Sequence, residues 1–195
     1  MRVLVVYCHP KPESFTAAMR DAVVDGLKQA GHEPQVLDLY AENFDPRLNA
    51  AEHAAYEDTQ SNGKGLEHYI EMLHSAEGIV FVFPTWWYDM PAMLKGWLDR
   101  VWVPGVAFDL GPGKMIEPRL RHIRFMGAVT SCGAPWWWSK VVGEPHRRIL
   151  IRGMRALCAR DCRQVWLGCY QMDHSTPKKR KGFLAVVRRR MAKVV

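Results

Sequence analysis

The run Phe83-Pro84-Thr85-Trp86-Trp87-Tyr88-Asp89-Met90-Pro91 sets three adjacent aromatics between two prolines. Such a cluster is suited to stacking a flat ligand, although Trp86, Trp87 and Tyr88 could equally plug the end of a core, since aromatics dominate packing generally. Two other segments are unusual. In His9-Pro10-Lys11-Pro12-Glu13-Ser14-Phe15-Thr16-Ala17, hydroxyl residues stand at a helix start. Free backbone donors and the positive end of the helix dipole suit a phosphate there. The plainer alternative is an N-cap in which Ser14 or Thr16 satisfies the first turn, and the loop has neither P-loop nor Gly-x-Gly-x-x-Gly spacing. In Thr130-Ser131-Cys132-Gly133-Ala134-Pro135-Trp136-Trp137-Trp138, small residues let backbone amides approach a polar edge, and the tryptophans could wall the same crevice. A phosphate cradle, an aromatic floor and an amide-rich edge together describe a flavin site. Histidine chemistry has thinner support: His9 can orient its loop, and His146 reads as a helix residue that is exposed or packed.

The elements that must hold these loops are legible from periodicity. Strands are expected over 2–8, 35–39, 78–83, 124–130 and 164–170, and helices over 15–30, 66–75, 92–102, most of 141–160, and 177–192. Residues 40–65 read as a polar excursion with one helical piece around 50–58, and 104–118 as a long irregular loop. The alternation βαβαβαβαβα implies an α/β fold: a doubly wound, five-stranded parallel sheet with helices on both faces. In the order 2-1-3-4-5, all three unusual loops follow central strands, and ligands bind at the carboxyl ends of such strands.

The 195 residues, 48% of them hydrophobic, suit a single domain over 1–195 that folds without staples. Cys8, Cys132, Cys158, Cys162 and Cys169 are odd in number and lack zinc-type spacing; no metal is expected. Cys158 and Cys162 could share a helical face, but inert packed thiols are the simpler reading. No signal peptide opens the chain, and no apolar run reaches the roughly 20 residues of a spanning helix, so a cytoplasmic location without membrane insertion is expected. The net charge of +7 concentrates in Lys178-Lys179-Arg180-Lys181 and Arg188-Arg189-Arg190. Phe183, Leu184, Val187 and Met191 make the opposite stripe of that helix, so the charges read as its wet face and not as a nucleic-acid surface.

Nearly the whole chain resembles the flavodoxin-like NAD(P)H:quinone oxidoreductases of the DT-diaphorase type. The matching pieces are the opening strand with His9 to Thr16, the stretch Asp38-Leu39-Tyr40-Ala41-Glu42-Asn43-Phe44, the highly specific FPTWWYDMPAMLKGWLDRVW from Phe83 to Trp102, and Thr130 to Gly133. The resemblance implies that His9, Ser14, Phe15 and Thr16 bind the phosphate side of the flavin. It implies that Pro84, Thr85, Trp86, Trp87 and Tyr88 hold the isoalloxazine ring, and that Thr130, Ser131, Cys132 and Gly133 meet its polar edge. It further implies a homodimer with the site at the subunit boundary, where Phe108 and Asp109 correspond to substrate-contacting residues of the neighbouring chain. In the family, hydride passes from NAD(P)H to the flavin and two electrons then pass to a quinone in the same pocket, a ping-pong sequence. The flavin performs the redox step, and the protein supplies position and electrostatics.

One departure concerns proton handling. Where the family has a tyrosine and a histidine that assist charge development on the reduced flavin, this chain has Trp138 and Glu144. Indole donates a hydrogen bond but relays no proton, and an ionised glutamate disfavours negative charge beside it. A shift of register by a residue or two would bring His146 toward that role, so Trp138, Glu144 and His146 are the candidate catalytic residues. The leading expectation is a flavin-dependent NAD(P)H:quinone oxidoreductase. The alternative is a regulatory or ancillary flavoprotein that binds a partner such as a potassium-efflux system. FAD is favoured over FMN by overall similarity, and NADPH against NADH stays open, with Arg47, Arg119 and Arg121 as candidates for a 2′-phosphate.

Overall fold

Short apolar runs closed by turns are fully buried only when a sheet is covered on both faces, and that is how this chain disposes of them. The computed structural model describes residues 1–111, 113 and 115–194. In chain order the elements are β1 (Arg2–Tyr7), α1 (Phe15–Gln29), β2 (Glu33–Asp38), α2 (Ala50–Ala54), α3 (Glu67–Ser75), β3 (Gly78–Pro84), α4 (Ala92–Val101), β4 (Phe108–Leu110), β5 (Ile116–Pro118), β6 (Phe125–Ser131), α5 (Trp136–Val142), α6 (Pro145–Arg148), β7 (Arg163–Cys169) and α7 (Pro177–Met191). Five strands pair in parallel in the order β2-β1-β3-β6-β7. This is the doubly wound 2-1-3-4-5 sheet, with β6 and β7 as its fourth and fifth strands because a hairpin, β4 with β5, is inserted.

The pleat of β1 divides the core in two. Val3, Val5 and Tyr7 face the cluster formed with Ala22, Val23 and Leu27 of α1 and Val187 and Met191 of α7. Leu4, Val6 and Cys8 face the cluster formed with Leu73 of α3, Leu94 and Trp97 of α4, and Leu150. β3, in the middle, is buried along its whole length. Close approach is built in where helices meet neighbours: a Cβ on Gly96 of α4 would lie 2.2 Å from the Pro46 carbonyl oxygen.

Two segments differ from the sequence-based expectation. The helix expected over 141–160 is instead a broken run. α5 starts earlier, at Trp136, and ends where Gly143 (φ +95°) and Glu144 (φ +47°) turn left-handed, before Pro145 opens α6. A π-helical turn, Ile149–Gly153, and a 3₁₀ turn, Met154–Leu157, complete it. The long loop over 104–118 contains the β4–β5 hairpin, and the helical piece near 50 is only the five residues of α2.

Candidate active site at the carboxyl ends of the strands

Backbone hydrogen bonds tie the strand ends side by side. The Cys8 N–H donates to the Val82 carbonyl at 3.0 Å, Thr85 to Ser131 at 2.7 Å, and Cys132 to Cys169 at 2.8 Å. The three loops singled out by composition therefore leave the sheet together. His9 and Trp86, on the first two, have ring centroids 6.2 Å apart. A cleft of about 220 Å³ is lined by Thr85, Trp87, Tyr88, Cys132, Gly133 and Ala134, bringing the second and third loops onto one surface.

The aromatic run is a tight hairpin turn. The Trp86 N–H donates to the Asp89 carbonyl and the Asp89 N–H to the Trp86 carbonyl, each at 3.0 Å. The two central residues, Trp87 (φ +50°) and Tyr88 (φ +63°), are both left-handed. Such turns normally select Asn and Gly, because a Cβ is unfavourable there. Two bulky aromatics in this conformation carry strain of about 1–3 kcal/mol each, which persists only where surrounding contacts enforce it. Among the described residues the N–H groups of Trp87, Tyr88, Gly133 and Ala134 make no hydrogen bond, although each is within or beside the cleft. Trp87, at the tip, is 95% exposed.

The contacts that enforce the turn come from α5 and α6. Trp138 Nε1 donates to the Tyr88 hydroxyl at 2.9 Å, and His146 Nδ1 lies 2.6 Å from the Tyr88 carbonyl. A carbonyl only accepts, so Nδ1 carries the proton, and Nε2 is left to accept from the Thr85 hydroxyl at 3.4 Å. Thr85 Oγ1 in turn lies 2.8 Å from Thr130 Oγ1. Burial lowers the His146 pKa, against the opposing hydrogen bond to Tyr88. The imidazole is thus a neutral latch behind the turn, packed on Phe83 and Trp166.

The structure separates the remaining candidates. Glu144 does not join the cleft: it is buried, accepts from Lys140 and the Tyr170 hydroxyl, and lies 3.5 Å from Arg147. Burial alone would raise its pKa, but these donors and charges outweigh burial and hold the carboxyl below its ordinary value. Its charge is spent on those partners. Ser14 caps α1, accepting from the Ala17 N–H at 3.0 Å. Phe15 packs against Phe183, and Thr16 is buried, so this loop offers an anion its first-turn N–H groups and not its hydroxyls. Cys132 is buried beside Ser139, and Gly133 leaves room for the Asp173 carboxylate, 2.4 Å from where a Cβ would be. Phe108 and Asp109 lie on β4, away from the cleft residues in sequence and sheet, with Asp109 paired to Arg119 at 2.9 Å. Arg47 pairs with Asp45, and Arg121 donates to the Cys158 carbonyl, so these candidates for a 2′-phosphate have local partners. All five cysteines are free and buried, and among the described residues no group of three or more His, Cys, Asp and Glu could hold a metal. Sequence reasoning did not find the roles of Asp89, which closes the turn, or of Tyr170, which anchors Glu144. The two-residue spacing of Trp86 and Asp89 is the signal for the first, disguised by the absence of Asn or Gly.

A model of the flavodoxin-like fold matches residues 1–157. The chain belongs to the flavodoxin-like family. Within it, the chain is 35% identical over 156 residues to the ribosyldihydronicotinamide dehydrogenase (quinone) of Pongo abelii, covering 71% of this chain and 67% of that one. It is 31% identical over 145 residues to an uncharacterized NAD(P)H oxidoreductase of Escherichia coli, covering 73% of each. Among solved flavodoxin-like structures, the NAD(P)H:quinone oxidoreductase of Methanothermobacter marburgensis superposes with a TM-score of 0.84 at 26% identity, over 98% of this chain and 96% of that one.

Proposed function

We propose that this protein is a flavin-dependent NAD(P)H:quinone oxidoreductase that works by two-electron, ping-pong transfer. The observation that carries the reading is the strained Trp86–Asp89 turn, which brings unpaired N–H groups and an aromatic face beside those of Gly133 and Ala134. The oxidoreductase names of the relatives support it independently. The donor set fits a flavin, whose pyrimidine edge carries carbonyl and ring-nitrogen acceptors around a single N–H and whose tail is anionic. Phe15 and Thr16 N–H groups would meet the phosphate, Trp87 and Tyr88 the ring, and Gly133 and Ala134 the polar edge. Bound there, the flavin would supply hydride acceptance from NAD(P)H and two-electron delivery to a quinone. FAD is favoured over FMN.

The chain's own residues would then position and protonate. Because the Tyr88 oxygen already accepts from Trp138, its hydroxyl hydrogen is available to donate at the cleft. Tyr88 would thus hold the proton that Trp138 cannot relay. The neutral His146 keeps the Tyr88 carbonyl drawn back, and its link through Thr85 to Thr130 fixes the turn to the neighbouring strand. A cleft of about 220 Å³ is smaller than the roughly 300–1,000 Å³ of complete ligand pockets. This supports a homodimer in which the second chain supplies the missing wall, with Phe108 and Asp109 as residues offered to the partner's site.

The experiment that tests this reading is the absorbance spectrum of the purified protein under anaerobic NADPH and then menadione, with the released cofactor weighed. Bleaching by NADPH and recovery with the quinone is the expected result, and the mass separates FAD from FMN. A protein that holds no flavin and cannot be reconstituted overturns the reading. A steady-state grid of donor against quinone should give parallel double-reciprocal lines, and intersecting lines would contradict the shared pocket.

A further inference from the structure

Glu144 and its partners form one end of a second concavity, of about 470 Å³, between the α5–α6 corner and the start of β7. Lys140, Arg147, Arg148, Arg152 and Arg155 line it, with Glu144 the single carboxylate among its lining residues. Five cations against one anion is a costly arrangement in a shared groove, since like charges repel and each long side chain loses freedom. Glu144 offsets part of that charge but is already committed to Lys140, Arg147 and Tyr170, which makes it a scaffold for two of the cations. Arg155 is also held in place, donating to the Cys162 carbonyl at 3.1 Å. The Arg148 backbone N–H donates to the Glu144 carbonyl, but the guanidinium groups of Arg148 and Arg152 make no hydrogen bond or ion pair among the described residues, and both residues line the groove. The backbone is shaped to allow this: a Cβ at left-handed Gly143 would lie 3.3 Å from the Arg148 guanidinium carbon.

We propose that this groove binds an oligophosphate, two or more linked phosphate groups as in a nucleotide, with Arg148 and Arg152 as the forked donors left open for it. Guanidinium groups match phosphate oxygens two at a time, and several of them in one groove suit a ligand with several charges in a row. A single inorganic phosphate would engage only part of the set. The occupant could be the phosphates of the nicotinamide donor or those of a separate nucleotide, and the chemistry of recognition is the same for both.

Calorimetric titration of the full chain with sodium tripolyphosphate tests the site, with orthophosphate in parallel. The expected result is saturable binding of tripolyphosphate, tighter than orthophosphate and weakened by added NaCl. The double variant Arg148→Gln/Arg152→Gln should lose about tenfold or more in affinity, as charge-assisted hydrogen bonds are removed. It should keep the unfolding midpoint of the parent, and Arg148→Lys should fall between the two. Absence of saturable binding to the parent, or equal affinity in the double variant, overturns the proposal. Calorimetry reads binding without turnover, so a failure of the redox reading leaves this test intact. In the turnover assay, a rise in KM for NADPH or NADH on adding tripolyphosphate supports the site and identifies the donor's phosphates as its occupant. Saturable binding with unchanged KM supports it with a separate phosphorylated ligand.

Discussion

Trp87 and Tyr88 place large side chains where the backbone prefers glycine. Trp87→Gly should therefore stabilise the protein, by no more than about 1 kcal/mol because the greater freedom of unfolded Gly offsets much of the relieved strain, while weakening flavin retention and turnover because a stacking face is lost. Thermal unfolding and flavin titration of the same sample measure both, and a variant that keeps full occupancy and normal rates would remove Trp87 from the site. Tyr88→Phe separates the proton from the ring: flavin occupancy should persist while kcat with quinone falls by about a hundredfold or more, within the usual range for a lost acid. His146 has a pH signature. Burial depresses its pKa, so below the unfolded value of about 6.5 the unfolded chain takes up a proton that the folded chain resists. Stability from this group is complete above that pH and is lost as pH falls toward the depressed folded value, at no more than about 1.4 kcal/mol per pH unit. His146→Gln should flatten the dependence in urea titrations between about pH 5 and pH 7. An unchanged slope would remove the neutral latch.

At the scale of elements, Gly96 is where α4 meets the excursion that precedes α3. A methyl group there would clash with backbone atoms of Pro46 as well as its ring, so Gly96→Ala should cost about 1–3 kcal/mol, the usual penalty of overpacking. Urea unfolding measures it. The three central strands were legible because each is a short apolar run closed by turn residues, whereas β2 and β7, at the edges, are partly polar. The order 2-1-3-4-5 fits the right-handed crossovers of such alternating chains. Helix ends were less so. Residues 141–160 share an apolar stripe, which suggested one helix. The break at Gly143-Glu144-Pro145 prevails because a left-handed pair followed by a proline at the first helical position stops one helix and starts another. That spacing was present in the sequence and was outweighed by periodicity. The proximity of Glu144 to Tyr170, and the latch from His146 to Tyr88, depend on where α6 packs after the break. Local pattern carries no information about such contacts, so Glu144 was expected in the cleft and is not there.

Over the whole molecule, the net charge of +7 should draw anionic donors toward the surface. A several-fold fall in kcat/KM for NADPH as salt rises from about 0.02 M to about 0.2 M is expected, since the screening length shortens across that range. Stopped-flow reduction at several salt concentrations measures it, and a salt-independent rate would mean that binding is governed by local contacts alone. The packing of α1 on α7 has a consequence for how the protein is made. The apolar face of α1, with Ala22, Val23 and Leu27, is covered by Val187 and Met191, which lie far along the chain. On a ribosome adding about 5–20 residues each second, that face waits on the order of ten seconds for its cover. Nascent chains stalled before α7 should accordingly be captured by holdase chaperones and nicked by proteases within α1, and both liabilities should vanish once α7 has emerged and docked.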